Sequence, residues 1–188
     1  MGIKYIDGNI LNSRADIILH QVNCQGVMGA GLAKQIKAWC PQHYQDYIKC
    51  CKNTPPKELL GHWVGTRYSS VNSVIGIFGQ LNYGRDKCYT DYNALRTALL
   101  DNKRVINDLY WQYPNCRIAI PYGVGCGLAG GQWNIVLEIL NELFEYTEND
   151  KSKITLEIWK FNGDTVLRSS EDIMKEDYGS AYDLMFKK

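Results

Sequence analysis

The sequence has no excess of charge of either sign. Its 21 basic and 20 acidic side chains leave a net charge of +1. No global field therefore gathers nucleic acid or an anionic membrane, and any anion must be held by local geometry. It also lacks an apolar run approaching the roughly 20 residues that span a bilayer. Histidines number three, and His43 and His62 are read as having no nearby partner for a metal. The seven cysteines, Cys24, Cys40, Cys50, Cys51, Cys88, Cys116 and Cys126, include no CxxC pair, so no metal site is expected. Their odd number and the want of a secretory leader predict reduced thiols in a cytoplasmic protein. Met1-Gly2 does not begin a myristoylation signal, because position 6 is Ile6. The chain is expected to be a monomer with no membrane partner.

What the sequence has is alternation. Ile3–Ile6, Ile17–Val22, Leu59–Thr66, Val74–Phe78, Arg117–Pro121 and Ile154–Trp159 read as strands. Apolar residues at 32, 33, 36 and 39 have helical spacing. Pro41 closes that helix, and further helices are expected over 42–52, 91–110 and 132–146. Strands alternating with helices imply an α/β layered fold with a parallel or mixed sheet. The domain is expected over 1–161. A polar extension follows over 162–188, with a late apolar group at Tyr178, Tyr182, Leu184, Met185 and Phe186. Trp39, Trp63, Trp111, Trp133 and Trp159 read as core.

Two glycine-rich loops, 26–31 and 123–131, each follow a strand and precede a helix. Glycine accepts positive φ and lets a ligand approach the backbone. Consecutive N–H groups can then face one anion, with a helix N-terminus behind them. Either loop alone is also explained as a turn; two on one sheet rim suit a diphosphate. Leu32 and Ala33 stand where a Mg-nucleotide P-loop needs Lys and Ser/Thr. Gly125-x-Gly127-x-x-Gly130 matches the dinucleotide pattern, but one strand follows it and that strand ends Trp159-Lys160, without the acid that binds ribose.

At these loops the sequence resembles a macrodomain. The likeness runs from Gly8-Asn9-Ile10, through Asn23 and the Met28-Gly29-Ala30-Gly31-Leu32-Ala33 stretch, to Gly123–Gly127, and covers residues 3–160. Within the family it is similar to the branch with terminal ADP-ribose glycohydrolases, DNA de-ADP-ribosylating antitoxins and ADP-ribose-1″-phosphate phosphatases. The resemblance implies a three-layer α/β/α sandwich with a mixed sheet and an ADP-ribose cleft. Asn9 would accept from the adenine amino group and Ile10 would help hold the base. Gly29, Ala30 and Gly31 would line the distal ribose and phosphates. Gly123, Val124, Gly125, Cys126, Gly127 and Leu128 would wrap the diphosphate, and Tyr122 would flank the pocket. The implied ligand is ADP-ribose or an ADP-ribosylated substrate, with nucleic acid bound only in that form and no cofactor.

Catalysis is less fully marked. By the same resemblance, a nucleophilic Lys would precede the Tyr92-Asn93-Ala94-Leu95 helix start and an Asp would follow Leu128. Tyr89 and Ala129 stand there instead, and Lys87 lies two residues from the first position. His20, three residues before Asn23, is then the candidate general acid or base, because imidazole titrates near neutral pH. A strand-end His satisfied by backbone explains it equally. Asp91 could pair with His20 or orient water, or could cap the helix that follows. Asn23 could position a water or the distal ribose. Cys24 and Cys126 could be nucleophiles, although small packing residues explain both. Arg85 or Lys87 could reach an anion. The expected reaction is hydrolysis at the distal ribose, foremost of a 1″-phosphate; the alternative is a reader that binds without chemistry.

Overall fold

The computed structural model describes residues 2–68, 72–110, 116–145 and 154–163, with backbone alone for 107–110. Trp111, Pro114 and the late apolar group of the extension lie outside the described residues. In chain order the elements are β1 Ile3–Asp7, a 3-10 turn Ile10–Asn12, β2 Ile17–Asn23, α1 Gly31–Trp39, α2 Pro41–Asn53, the short α3 Pro56–Leu59, β3 Trp63–Arg67, β4 Ser73–Gln80, α4 Tyr92–Tyr110, β5 Arg117–Pro121, α5 Trp133–Phe144 and β6 Thr155–Lys160. They form one six-stranded sheet, ordered β1-β6-β5-β2-β4-β3. Every pair is parallel except β3 with β4. The sheet is mixed, as expected.

Strands covered on both faces read as continuous apolar runs, because neither side sees water. β2 is the example: six of its seven residues, all but Gln21, are buried. Alternate residues point opposite ways. Ile17 and Leu19 join Ile75, Ile77, Ile118 and Ile120 beneath Leu95 and Leu99 of α4 and Val136 and Leu140 of α5. Ile18 joins Val74 and Ala119 beneath Ile36 of α1 and the 3-10 turn. Val22 and Phe78 pack on Tyr47 of α2. Helices on both faces give the expected three layers.

Three sequence expectations are corrected. Leu59–His62 is not strand: Pro55 and Pro56 start a helical turn, and β3 begins at Trp63. Pro41 opens α2 at its first position, where the missing N–H costs no hydrogen bond, as well as ending α1. The tryptophans at 39, 63, 133 and 159 are half-buried at the margins of the core.

The site follows from the topology. β2 and β4 pair in register from Ile17 to Asn23, but β2 and β5 pair only at Ile17–Ile118 and Ile18–Ala119. Beyond that point the two strands part toward their carboxyl ends. The chain leaves β2 through α1 and α2 toward β4, and leaves β5 through α5 toward β6, the other way along the sheet. That reversal opens the crevice in which α/β sheets bind ligands.

Candidate functional site

A cavity of about 570 Å³ occupies this crevice. Its walls are the end of β2 (His20 to Asn23), the first glycine loop, the second glycine loop, and Gln80 with Tyr83, Gly84 and Arg85 beyond β4. Among the described residues that form these walls there is no carboxylate, and Arg85 is the cation.

The first loop is built around Asn23. Its Oδ1 accepts from the amides of Gln25 (2.9 Å) and Val27 (3.3 Å), and its Nδ2 donates to Val27 O (2.7 Å). The buried Tyr47 hydroxyl donates to Asn23 O at 2.8 Å and sits 2.9 Å from Oδ1. This braces the chain so that Gly29, Ala30 and Gly31 form one wall. Gly31 has φ +57°, a conformation glycine adopts without penalty. Position 30 is the N-cap of α1, yet alanine carries no oxygen to cap it. The first intrahelical bond runs from Lys34 N to Ala30 O. The N–H groups of Gly31, Leu32 and Ala33 thus precede the helical ladder and stand in the cavity wall. An anion there gains both the donors and the helix dipole.

Thr90 holds the second loop opposite. Its hydroxyl donates to Gly125 O at 2.6 Å and accepts from Gln21 Nε2 at 3.0 Å. Gly131 N closes on the same carbonyl at 2.9 Å, Cys126 N on Gly123 O at 2.8 Å, and Gly130 N on Gly127 O at 3.0 Å. The amides of Gly125, Gly127 and Leu128 take no part in these closures among the described residues. Gly125 has φ +72°, and a Cβ there would lie 2.6 Å from Gln21 Oε1 and 3.0 Å from Thr90 Oγ1. Only glycine fits.

His20 stands in the wall with 2% of its surface exposed. Its Nε2 lies 3.0 Å from Nε2 of His43, which is fully buried on α2. Its Nδ1 is buried without a hydrogen-bond partner among the described residues. Burial first, and the His43 ring second, hold the His20 imidazole well below its ordinary pKa. Burial takes His43 down to about 4 against the opposing pull of Asp46. Both rings are neutral at physiological pH.

The expected site residues fall into two groups. His20, Asn23, Gly29, Ala30, Gly31, Tyr122, Gly123, Val124, Gly125, Gly127 and Leu128 line the cavity. Asn9, Ile10, Cys126 and Asp91 do not. Asn9 Oδ1 accepts from Leu11 N at 3.0 Å, so it organises the 3-10 turn, and Ile10 is buried in the core beneath α1. Asp91 Oδ1 accepts from Ala94 N at 3.0 Å and caps α4, while His20 is partnered by His43 instead. Cys126 turns its thiol to Val124 O, and burial raises its pKa. Cys24 is buried with its thiol pushed up to about 12, which suits packing and not nucleophilic attack. Lys87 lies outside the walls, 5.3 Å from the centroid of the Tyr89 ring. Ala129 lines the cavity and accepts from the amides of Tyr89 and Thr90. Tyr122 is half-exposed against Trp133, ring centroids 4.6 Å apart.

Sequence reading missed Gln21, Gln80 and His43. Glutamines at the ends of β2 and β4 carry no motif. His43 lies 23 residues from His20, and only the packing of α2 on the sheet joins them.

No family model matches the chain. It is similar to a Saccharomyces cerevisiae protein named ADP-ribose 1″-phosphate phosphatase, with 28% identity over 74% of this chain and 92% of that protein. A second similarity is to a Thermus aquaticus DNA ADP-ribosyl glycohydrolase, 38% identical over 27% of this chain and 14% of that one, so the chain spans only a small part of that relative. Two solved structures share the fold. The macrodomain of Thermus aquaticus DarG gives a TM-score of 0.63 at 22% identity, covering 85% of this chain and 97% of that one. Thermosipho africanus DarTG, solved in complex with ADP-ribose, gives 0.65 at 23% identity, covering 88% and 43%.

Proposed function

We propose that this chain, which has the macrodomain fold, binds ADP-ribose in the crevice between β2 and β5 and hydrolyses a derivative of it at the distal ribose. The observation that carries the reading is the pairing of two amide cradles across one cavity. The uncapped start of α1 faces the amides of the second glycine loop, with a neutral imidazole between them. A diphosphate brings two adjacent anionic groups and suits two cradles with Arg85 at the mouth. The cavity lies within the size range of small-molecule sites. The names of the yeast and Thermus relatives support the substrate class, and the Thermosipho complex supports the ligand.

His20 is the general base of this reaction. It takes a proton from water as the oxygen adds to phosphorus, the bond between phosphorus and the ribose 1″-oxygen breaks, and the proton passes to the departing oxygen. Asn23 holds the loop that seats the ribose. Residues 1–161 form the catalytic domain. All seven cysteines are free, which fits a reducing, cytoplasmic setting, and the protein acts as a monomer. Among the described residues no helix is long and apolar enough to cross a membrane.

Titration calorimetry with ADP-ribose, followed by incubation with ADP-ribose-1″-phosphate, O-acetyl-ADP-ribose and ADP-ribosylated protein or DNA, tests the reading. Binding and release of free ADP-ribose from one of these, abolished in His20→Gln, are expected. No heat at millimolar ADP-ribose overturns the site. One observation favours a second reading, a reader without chemistry: the capping role of Asp91 and the distance of Lys87 leave His20 as the sole imidazole or carboxylate in the walls among the described residues. Binding without turnover of any derivative selects it.

A further inference from the structure

His20 and His43 are two members of a longer chain of hydrogen bonds. From the cavity outward, His20 Nε2 lies 3.0 Å from His43 Nε2, His43 Nδ1 lies 3.1 Å from Thr66 Oγ1, and the Thr66 hydroxyl donates to Asp46 Oδ2 at 2.6 Å. The other carboxylate oxygen of Asp46 accepts from Gln42 Nε2 at 2.9 Å. The chain crosses from β2 to α2, to β3 and back to α2. His20, His43 and Thr66 are buried, and Asp46 is at the surface end.

Proton counting along these contacts leaves one solution. A carboxylate only accepts, so the single Thr66 hydrogen goes to Asp46. Thr66 Oγ1 is then the acceptor for His43, so the His43 proton sits on Nδ1 and its Nε2 is bare. One hydrogen lies between the two facing Nε2 atoms, so it belongs to His20. His20 Nδ1 is therefore left unprotonated. That atom is one of the buried nitrogens without a hydrogen-bond partner among the described residues. Buried polar groups left unpaired ask for a reason, and here the unpaired site is a lone pair on a residue in the cavity wall.

We infer that Asp46, Thr66 and His43 form a tautomer-setting relay that keeps the proton of His20 on Nε2 and its lone pair on Nδ1, the three acting as positioning residues through His20. With both rings neutral, the tautomer follows from the hydrogen-bond geometry; its consequence for turnover rests on the hydrolase reading above. Asp46→Asn supplies the test, because its amide inverts the chain. The introduced side chain keeps its oxygen toward Gln42 and turns its NH2 on Thr66. Thr66 then donates to His43 Nδ1, His43 donates from Nε2, and His20 carries its proton on Nδ1, with its lone pair turned away from the unpartnered position.

The experiment is long-range 1H–15N correlation NMR on the full labelled chain at pH 7.5. Three imidazoles are present and are assigned with His20→Gln, His43→Gln and His62→Gln. The wild type is expected to show a pyridine-type Nδ1 and pyrrole-type Nε2 at His20, with the reverse at His43. Asp46→Asn exchanges both patterns and leaves His62 unchanged. A pyrrole-type Nδ1 at His20 in the wild type overturns the relay, whether or not any variant folds, and so does an unchanged pattern in folded Asp46→Asn. Kinetics then test the catalytic consequence. Asp46→Asn and Thr66→Val lower kcat about a hundredfold, within the range of general base catalysis, with KM unchanged, and Thr66→Ser restores kcat. Exchanged tautomers with undiminished kcat refute the catalytic role of the relay. Correct tautomers in a wild type that turns over nothing refute the hydrolase reading and leave the relay standing.

Discussion

Two histidines buried neutral make the stability of this fold depend on pH in a direction that the structure fixes. His43 has a folded pKa of about 4 against 6.5 for the free side chain, with burial as the cause. Lowering of an imidazole pKa means that the unfolded chain binds the proton more readily than the folded one. Above pH 6.5 neither state is protonated and the group contributes nothing. As pH falls through 6.5 the unfolded state takes up the proton alone, so stability is lost from there down to the folded pKa. Between these values the slope approaches about 1.4 kcal/mol per pH unit for one histidine. Integrated, His43 alone costs under about 1 kcal/mol at pH 6 and about 2 kcal/mol at pH 5. His20 acts in the same direction, because it too is held well below its ordinary value. Urea unfolding at pH 7.5, 6 and 5 reads this directly. With a slope near 2 kcal/mol per molar urea for a domain of this size, the midpoint falls by about 1 M or more between pH 7.5 and 5. Carboxylates contribute to any acid unfolding, so the decisive comparison is with His43→Gln. That variant is less stable at pH 7.5 but has a flatter dependence between pH 6.5 and 5. Equal slopes in the two proteins would show that His43 is not buried neutral, and the relay argument would lose its premise.

Four further outcomes are expected. Gly125→Ala places a Cβ against Gln21 and Thr90 at φ +72°. It lowers stability by about 2 kcal/mol and ADP-ribose affinity more than tenfold by calorimetry; wild-type affinity would remove the second loop from the site. Thr90→Val leaves the Gly125 carbonyl without its 2.6 Å donor, costing about 1–3 kcal/mol in urea unfolding and weakening ADP-ribose binding; unaltered unfolding would mean that Gly131 N alone satisfies that carbonyl. Arg85→Ala removes the wall's cation. It costs about 1 kcal/mol of ADP-ribose affinity without moving the melting temperature, and an unchanged salt dependence of binding would place Arg85 off the phosphates. Asp91→Ala removes the α4 cap bond to Ala94 N, losing about 1 kcal/mol of stability while kcat stays within twofold; a collapse of kcat would restore Asp91 to the chemistry.

The alternation of apolar strands with amphipathic helices determined an α/β layering by itself, because side-chain periodicity is local. Gly26, Gly31, Gly123 and Gly125 were legible for the same reason: each has positive φ, which the residue type alone permits cheaply. The missing P-loop Lys and Ser/Thr were equally plain. Leu59–His62 misread as strand because an apolar pair after two prolines has the same composition as a strand start, and the prolines' effect on backbone geometry decided it. Asn9 and Asp91 show the limit for polar residues. Each type both binds ligands and caps turns, and only coordinates reveal that the oxygens of these two go to Leu11 and Ala94. Tertiary structure also decided the direction of the β3–β4 pair and the parting of β2 from β5, which depend on pairings between segments distant in sequence. It decided the partner of His20 as well. His43, Thr66 and Asp46 come from two elements that meet only when α2 packs on the sheet beside β3. Local sequence determined where the two glycine loops lie; the tautomer of the His20 imidazole beside them is set by contacts among residues far apart along the chain.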